Sequence, residues 1–387
     1  MPLESYVYAG TTRLRRGYTT GTCVALAAKA AAIELLSGEP VASTSLMTPA
    51  GIPVEVDVER VCNAGDSGFP GGTPCVAYVV RKDAGDDYDV TDGILVRASV
   101  ALADEGISID GGEGVGRVTL PGLDQPVGAS AINSGPRAQI AAVLEDVAAQ
   151  LGYEGGFSVL VEVPGGAEVA TKTFNPQLGI EGGISILGTS GIVEPQSIEA
   201  RKDALAVEIH ARAACGAKRL VITPGNYGAD FVEARGIAPG IPIVKCANFI
   251  GFALDRAVIE CFDEVLLVGH IGKLVKVAGG IMDTHSRVAD CRCEIFAAHA
   301  ALAGASREAI ELLFEAPTSD ACLDVLERFG LLDEVCGSIG DAVAERVAHR
   351  VAGAYEVGTV MFSNARGLLH ASSTGARMLQ DWEVERP

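Results

Sequence analysis

At 387 residues the chain is too long for one compact core and implies two domains, or three. Apolar residues at 48% and charged residues at 21% exclude the disordered class, while 47 glycines predict many tight turns. A formal charge of −20 argues against nucleic acid and against anionic membrane surfaces as partners, since phosphates demand a basic face.

The opening residues, MPLESYVYAGTTRLRRGYTTGTC, lack the basic-then-apolar order of a signal peptide. No uninterrupted apolar run approaches the roughly 18 residues of a membrane span. The expectation is therefore a soluble, cytoplasmic protein. GYTTGTCVALAAKAAAIELLSGE reads as a helix with Thr22 as cap and Gly38 as stop. The threonines Thr19, Thr20 and Thr22 and the helix start could meet an anion, although such hydroxyls are more often simple caps. IPVEVDVERV alternates apolar and polar residues as a half-buried strand does, and PCVAYVVRK and ILVRASVAL read as two more strands. Five aspartates between Asp83 and Asp92 miss the EF-hand spacing, so a solvated acidic loop is the default. A helix with Ser134 as cap and Pro136 in its first turn follows, and FSVLVEV returns to strand. Residues 1–183 thus read as an α+β domain.

From residue 184 the pattern changes, across the turn-rich TFNPQLGIEGG. GISILGTSGIVEP, RLVITPGNYG, PIVKCANFIG and EVLLVGHIGK each read as a strand entering a loop, with helices between them. Four such alternations predict an α/β domain over 184–387 with a mainly parallel sheet, followed by a helical tail in which GTVMF could add a strand. Ligands gather at the carboxyl ends of parallel strands. Four loops are therefore expected to converge, at Gly188–Gly191, Thr223–Asn226, Asn248–Gly251 and Gly269–Lys273.

Gly188-Thr189-Ser190-Gly191 could bring backbone N–H groups close to a cofactor, but an ordinary strand–helix turn reads the same way. GHIGKLVKVAGGIMDTHS, residues 269–286, holds His270, Lys273, Lys276 and His285 with one carboxylate, Asp283. In so acidic a chain it reads as a cradle for an anion; two solvated lysines on a helical turn are the plain alternative. Asp283, His285 and Ser286 superficially suggest a hydrolytic triad, although triad members normally come from separated segments. Ten cysteines without disulfide-like spacing read as reduced thiols, mostly buried. Cys291 and Cys293 stand two apart, which on a helix points them to different sides, so no protein-bound metal is expected.

RRGYTTGTCVALAAKAA, RKDAGDDYDVTDG, GISILGTSGIVEP, ITPGNYG, GHIGKLVKVAGGIMDTHSRVAD and FSNARGLL together resemble the CbiD family, in order and over nearly the whole chain. Tyr88 departs from the proline expected in the acidic loop. The resemblance implies a cobalt-precorrin-5B C1-methyltransferase of cobalamin biosynthesis, giving cobalt-precorrin-6A, with S-adenosyl-L-methionine as methyl donor and a cobalt-corrinoid as small-molecule substrate. It also implies an N-terminal domain like the second domain of ribosomal protein S5. The cobalt would belong to the substrate. On this reading Gly188, Thr189, Ser190, Gly191, Thr223, Gly225 and Asn226 are the cofactor candidates. Thr19, Thr20, Thr22, His270, Lys273 and Lys276 are the substrate candidates. The catalytic residue is not identified, with His270, Asp283 and His285 as candidates. The rivals are a non-catalytic corrinoid carrier or scaffold and a nucleotide-dependent oxidoreductase, the latter weakened by the missing dinucleotide fingerprint. A homo-oligomer is compatible with the sequence.

Overall fold

The computed structural model describes residues 3–61, 69, 74–236 and 240–384. The chain divides into two compact units, Met1–Ile198 and Glu199–Pro387.

In the N-terminal unit, β1 (Tyr6–Ala9) and β2 (Thr12–Arg15) form a hairpin, and β3 (Gly17–Tyr18) leads into helix α1 (Thr20–Ser37). Strands β4 (Ser43–Met47) and β5 (Pro53–Asp57) pair with each other. Then come β6 (Glu59–Arg60), β7 (Val76–Arg81), β8 (Leu95–Ala103), β9 (Ile107–Gly111), β10 (Arg117–Val118), α2 (Ser134–Leu151) and β11 (Gly156–Glu162). A short helix α3 (Gly166–Ala170), β12 (Ile180–Glu181) and β13 (Ile192–Val193) complete the unit. Its main sheet has the order β6-β7-β8-β11-β9, antiparallel except where β9 runs parallel to β11. α1 is apolar on every side and correspondingly buried on every side, from Cys23 to Ala28 and again from Ala30 to Ala32. By length and composition it could cross a membrane, which the sequence reading did not anticipate, but it serves as the core helix here. Its cap is Thr19, whose hydroxyl accepts the Thr22 N–H, rather than Thr22 itself; Gly38 closes it in the left-handed conformation. α2 likewise begins one residue after Asn133, and Ser134 is its first residue, bonded to Asp124.

The C-terminal unit begins within α4 (Ile198–Ala214) and alternates β14 (Arg219–Thr223), α5 (Asn226–Arg235), β15 (Ile243–Lys245), α6 (Ile250–Ile259), β16 (Glu264–His270) and α7 (Ile271–Ala278). Four more helices follow: α8 (Arg292–Leu302), α9 (Arg307–Glu315), α10 (Ser319–Arg328) and α11 (Leu332–Val351). The chain ends with β17 (Glu356–Ser363), β18 (Gly367–Ala371) and α12 (Ser373–Val384). The sheet order is β15-β14-β16-β17-β18, parallel except for β18. Successive residues of a strand face opposite sides, and both sides are apolar here. Leu220, Ile222, Val265, Leu267 and Met361 face one core with α4, α6, α7 and α11. Val221, Leu266, Val268, Val360 and Phe362 face another with Val232 of α5 and with Met378 and Trp382 of α12.

One expected strand of this sheet lies elsewhere. Residues 184–193 belong to the N-terminal unit, where Ile186 bridges Ile132 and Ile192–Val193 pair with Gly17–Tyr18. The unit boundary accordingly falls near residue 198 rather than at 183/184, because these backbone bonds close on residues far earlier in the chain.

Candidate functional site

Glycine-bearing junctions singled out by the sequence lie in both units, and each unit is described by itself. In the N-terminal unit, Gly188 to Gly191 lies against the start of α1. Thr19 N–H and the Thr22 hydroxyl both donate to the Gly191 carbonyl, at 3.1 and 2.7 Å. The Leu187 N–H donates to the Thr20 hydroxyl at 2.9 Å, and the Leu187 carbonyl takes the Gly21 N–H at 2.9 Å. At the helix start the Gly21 N–H is thus met by this segment and the Thr22 N–H by the Thr19 hydroxyl. Thr20 and Thr22 are buried. Gly188 has φ +140, and a Cβ on it would collide with the Thr19 hydroxyl. The glycine is explained by close approach within the unit, while Thr189 and Ser190 are exposed at the loop tip. Thr19, Thr20 and Thr22, expected on substrate, are spent on pinning residues 187–191.

The acidic loop is likewise a scaffold. Asp83 forms a two-pronged pair with Arg15, at 2.5 and 2.7 Å, and Asp89 holds the buried Lys82 at 2.6 Å. Asp86, Asp87 and Asp92 accept backbone N–H groups of Arg15, Gln196 and Ala84. Burial would raise Asp89, but Lys82 and the Thr91 hydrogen bonds outweigh it and hold the carboxyl below its ordinary value. Among the described residues no group of three or more His, Cys, Asp or Glu is arranged to hold a metal ion. Cys293 directs its thiol at the Ala316 carbonyl, 3.7 Å away.

In the C-terminal unit, the winding of the chain reverses between β14 and β16, and the loops after those two strands flank that reversal. Three of the four expected loops do lie at strand ends of this sheet; the Gly188 loop does not. Thr223 is buried and donates its hydroxyl to the Gly225 carbonyl at 3.2 Å. Gly225 has φ +122, which only glycine adopts readily, and the one atom near its missing Cβ is Lys273 Nζ at 3.8 Å. Asn226 is exposed at the start of α5.

Lys273 Nζ donates to the Ala247 carbonyl at 3.0 Å, and among the described residues no carboxylate pairs with it. Ala247 sits at φ +51, a conformation few non-glycine residues take, which turns that carbonyl toward the ammonium. Partial burial lowers the Lys273 pKa, an effect that the buried Cys246 opposes and Lys276 reinforces. Burial also pushes the Cys246 thiol up to about 12, so it is a core thiol and no nucleophile.

The other cradle residues have settled duties. Lys276 is 4% exposed and donates to the carbonyls of Thr284 and Ala289, at 3.2 and 2.8 Å, with Asp290 3.7 Å away. It therefore fastens residues 284–290 rather than facing a ligand. His270 caps α7: its Nδ1 accepts the Gly272 N–H at 3.1 Å, leaving the proton on Nε2, which lies 3.7 Å from Asp320. Burial lowers its pKa against the pull of Asp320, so it is a neutral donor whose basic nitrogen is occupied. Asp283 accepts the His285 N–H and His285 Nδ1 accepts the Arg287 N–H, both at 3.1 Å, which are local turns. Ser286 is exposed. No hydrolytic relay is assembled from these three residues.

Reading the sequence missed Tyr227, Ala247, Asp320 and Ser363. Tyr227 stood in view within TPGNYG, one residue beyond Asn226. Asp320, which accepts the Ser363 hydroxyl at 2.8 Å, meets His270 only through the tertiary fold, and no local signal marks it.

A family model described as CbiD matches residues 7–195, and one described as CbiD, C-terminal domain, matches residues 283–373. A protein of Ruminiclostridium cellulolyticum named cobalt-precorrin-5B C(1)-methyltransferase is 44% identical over 94% of this chain and 92% of its own length. One of the same name from Alkaliphilus metalliredigens is 42% identical over 98% of this chain and 97% of its own. A crystal structure of the cobalamin biosynthesis protein CbiD from Archaeoglobus fulgidus matches with 32% identity and a TM-score of 0.39, covering 73% of this chain and 86% of that one. The chain belongs to the CbiD family.

Proposed function

We propose that this chain is the S-adenosylmethionine-dependent methyltransferase that acts at C1 of cobalt-precorrin-5B, giving cobalt-precorrin-6A. The observation that carries this reading is identity above 40% to methyltransferases of that name over nearly all of both chains. We further infer a cytoplasmic enzyme, with an N-terminal unit akin to the second domain of ribosomal protein S5.

Of the two junctions, the Gly188 loop does not fit a cofactor, since Thr19 fills the space beside Gly188. The Thr223–Asn226 turn does fit, because the Cα face of Gly225 is open apart from the Lys273 ammonium. Gly225 and the exposed Asn226 are the residues that would hold S-adenosylmethionine. When bound, it supplies an electrophilic methyl group on a sulfonium that is its own leaving group. The protein accordingly needs no nucleophile, and its task is alignment of the reactants at near-contact distance and exclusion of water. Lys273 would anchor one of the acceptor's carboxylates by a charge-assisted hydrogen bond. Among the described residues this half-buried ammonium meets one carbonyl and no carboxylate, so donors remain free for an arriving carboxylate. His270 keeps the start of α7 in place and offers Nε2–H as a donor.

The test is anaerobic incubation of the purified protein with cobalt-precorrin-5B and isotopically labelled donor. Label at C1 of the corrinoid, with matching release of S-adenosylhomocysteine, is expected. Tight corrinoid binding with no transfer would return the carrier reading.

A further inference from the structure

Tyr227 is 64% exposed on the first turn of α5, two residues after Gly225. A lone exposed tyrosine is ordinary. This one has a rigid backing. Its ring leans on His270, with centroids 6.3 Å apart and 48° between planes. His270 meets Phe362 edge-on at 5.6 Å, and Phe362 stacks on Phe231 at 4.3 Å. Phe362 is buried, and the His270 ring is fixed by the Gly272 N–H. A line of rings therefore runs from the core of the C-terminal unit to its surface and ends in a half-immobilised aromatic face. On the same rim stand Gly225, with no side chain to obstruct approach, and the Lys273 ammonium, with no carboxylate partner among the described residues.

We infer that Tyr227 is the stacking surface on which the flat ring of the corrinoid lies while Lys273 takes one of its carboxylates. The inference rests on the proposed function and deepens it. A wide planar ring with anionic arms matches an aromatic face beside a cation. The donor offers a smaller flat ring and a single carboxylate, so the macrocycle makes fuller use of this face. Asp320 accepts the Ser363 hydroxyl and lies 3.7 Å from His270 Nε2.

The experiment titrates the full chain anaerobically with cobalt-precorrin-5B, followed by its visible absorption, and separately with S-adenosylhomocysteine. Parent, Tyr227→Ala and Tyr227→Phe are compared after circular dichroism has shown equal folding. Tyr227→Ala should weaken corrinoid binding about tenfold and Tyr227→Phe by less than about twofold, with S-adenosylhomocysteine affinity unchanged in both. Normal corrinoid affinity in Tyr227→Ala, in a parent that methylates the corrinoid, overturns the stacking surface alone. Loss of S-adenosylhomocysteine affinity instead gives the ring to the donor and also overturns it. A parent that neither binds nor methylates the corrinoid overturns the functional reading and this inference together.

Discussion

Gly188 and Gly225 both lie in the left-handed half of backbone space, at φ +140 and +122, and both follow an apolar segment in a glycine-bearing loop. Their surroundings are opposite. Around Gly188 the Gly21 and Thr22 N–H groups and the Thr20 and Thr22 hydroxyls of the neighbouring helix start are matched by Leu187, Gly191 or Thr19, and the absent side chain makes room for a threonine. Around Gly225 the absent side chain leaves open space, bordered by an ammonium that among the described residues has one carbonyl partner. A glycine motif therefore identifies a ligand site only when its spare hydrogen-bonding capacity is known. Satisfied donors make a scaffold; an unsatisfied one, held in place, makes a receptor.

The sharpest way to break this comparison is to add one methyl group at the closed junction. Gly188→Ala places a Cβ against Thr19 in a backbone conformation alanine resists, and should cost roughly 3 kcal/mol or more of stability. Thermal or urea unfolding would measure it. A variant as stable as the parent would mean that the loop is looser than described and free to admit a ligand. The two lysines of α7 give the next contrast. Lys276→Met keeps the buried stem but leaves the Thr284 and Ala289 carbonyls unpaired, at a cost of about 2 kcal/mol. Hydrogen exchange should show residues 284–290 opening, with corrinoid affinity altered less than by loss of Lys273. Equal exchange in variant and parent would remove the fastening role.

How much of this was legible beforehand follows from how local each signal is. α1 and strands β14, β15 and β16 announce themselves by Ala-rich apolar runs and by buried β-branched stretches that neighbour one another in sequence, whereas β18 was not read as a strand. The fate of residues 184–193 was hidden, because their partners, Gly17, Tyr18 and Ile132, are distant and a short apolar run does not say which sheet it joins. Lys273 and Lys276 were legible as neighbours on one helical turn. Their different duties were not, since these depend on where Ala247 and residues 284–290 come to rest. Aspartates 83 to 92 read as a solvated loop, yet Lys82, Arg15 and backbone N–H groups consume them, and sequence alone does not pair charges across 68 residues.

Acid separates the two units more gently. In the C-terminal unit the His270 pKa is depressed from its ordinary 6.5, by burial against the pull of Asp320. A depressed group contributes stability that is fully present above its unfolded value and lost as pH falls through the folded one. Protonation also removes the Nδ1 acceptor from the Gly272 N–H. In the acidic loop of the N-terminal unit the depressed groups are Asp83 and Asp89, with an ordinary value of 3.8, so the corresponding loss there begins only below that pH. Opening free energies from hydrogen exchange should therefore decline at the start of α7 as pH drops below 6.5, while residues 83–92 hold until about pH 4. A simultaneous decline in both segments would contradict the assignment.

The account stands most directly on Lys273. Corrinoid affinity should be measured at low salt for the parent and for Lys273→Ala, beside S-adenosylhomocysteine as control. Loss of one charge-assisted hydrogen bond predicts corrinoid binding weaker by roughly ten- to a hundredfold with donor-product binding nearly unchanged. A folded Lys273→Ala that binds the corrinoid as the parent does would contradict the claim that the open junction of the C-terminal sheet receives the substrate.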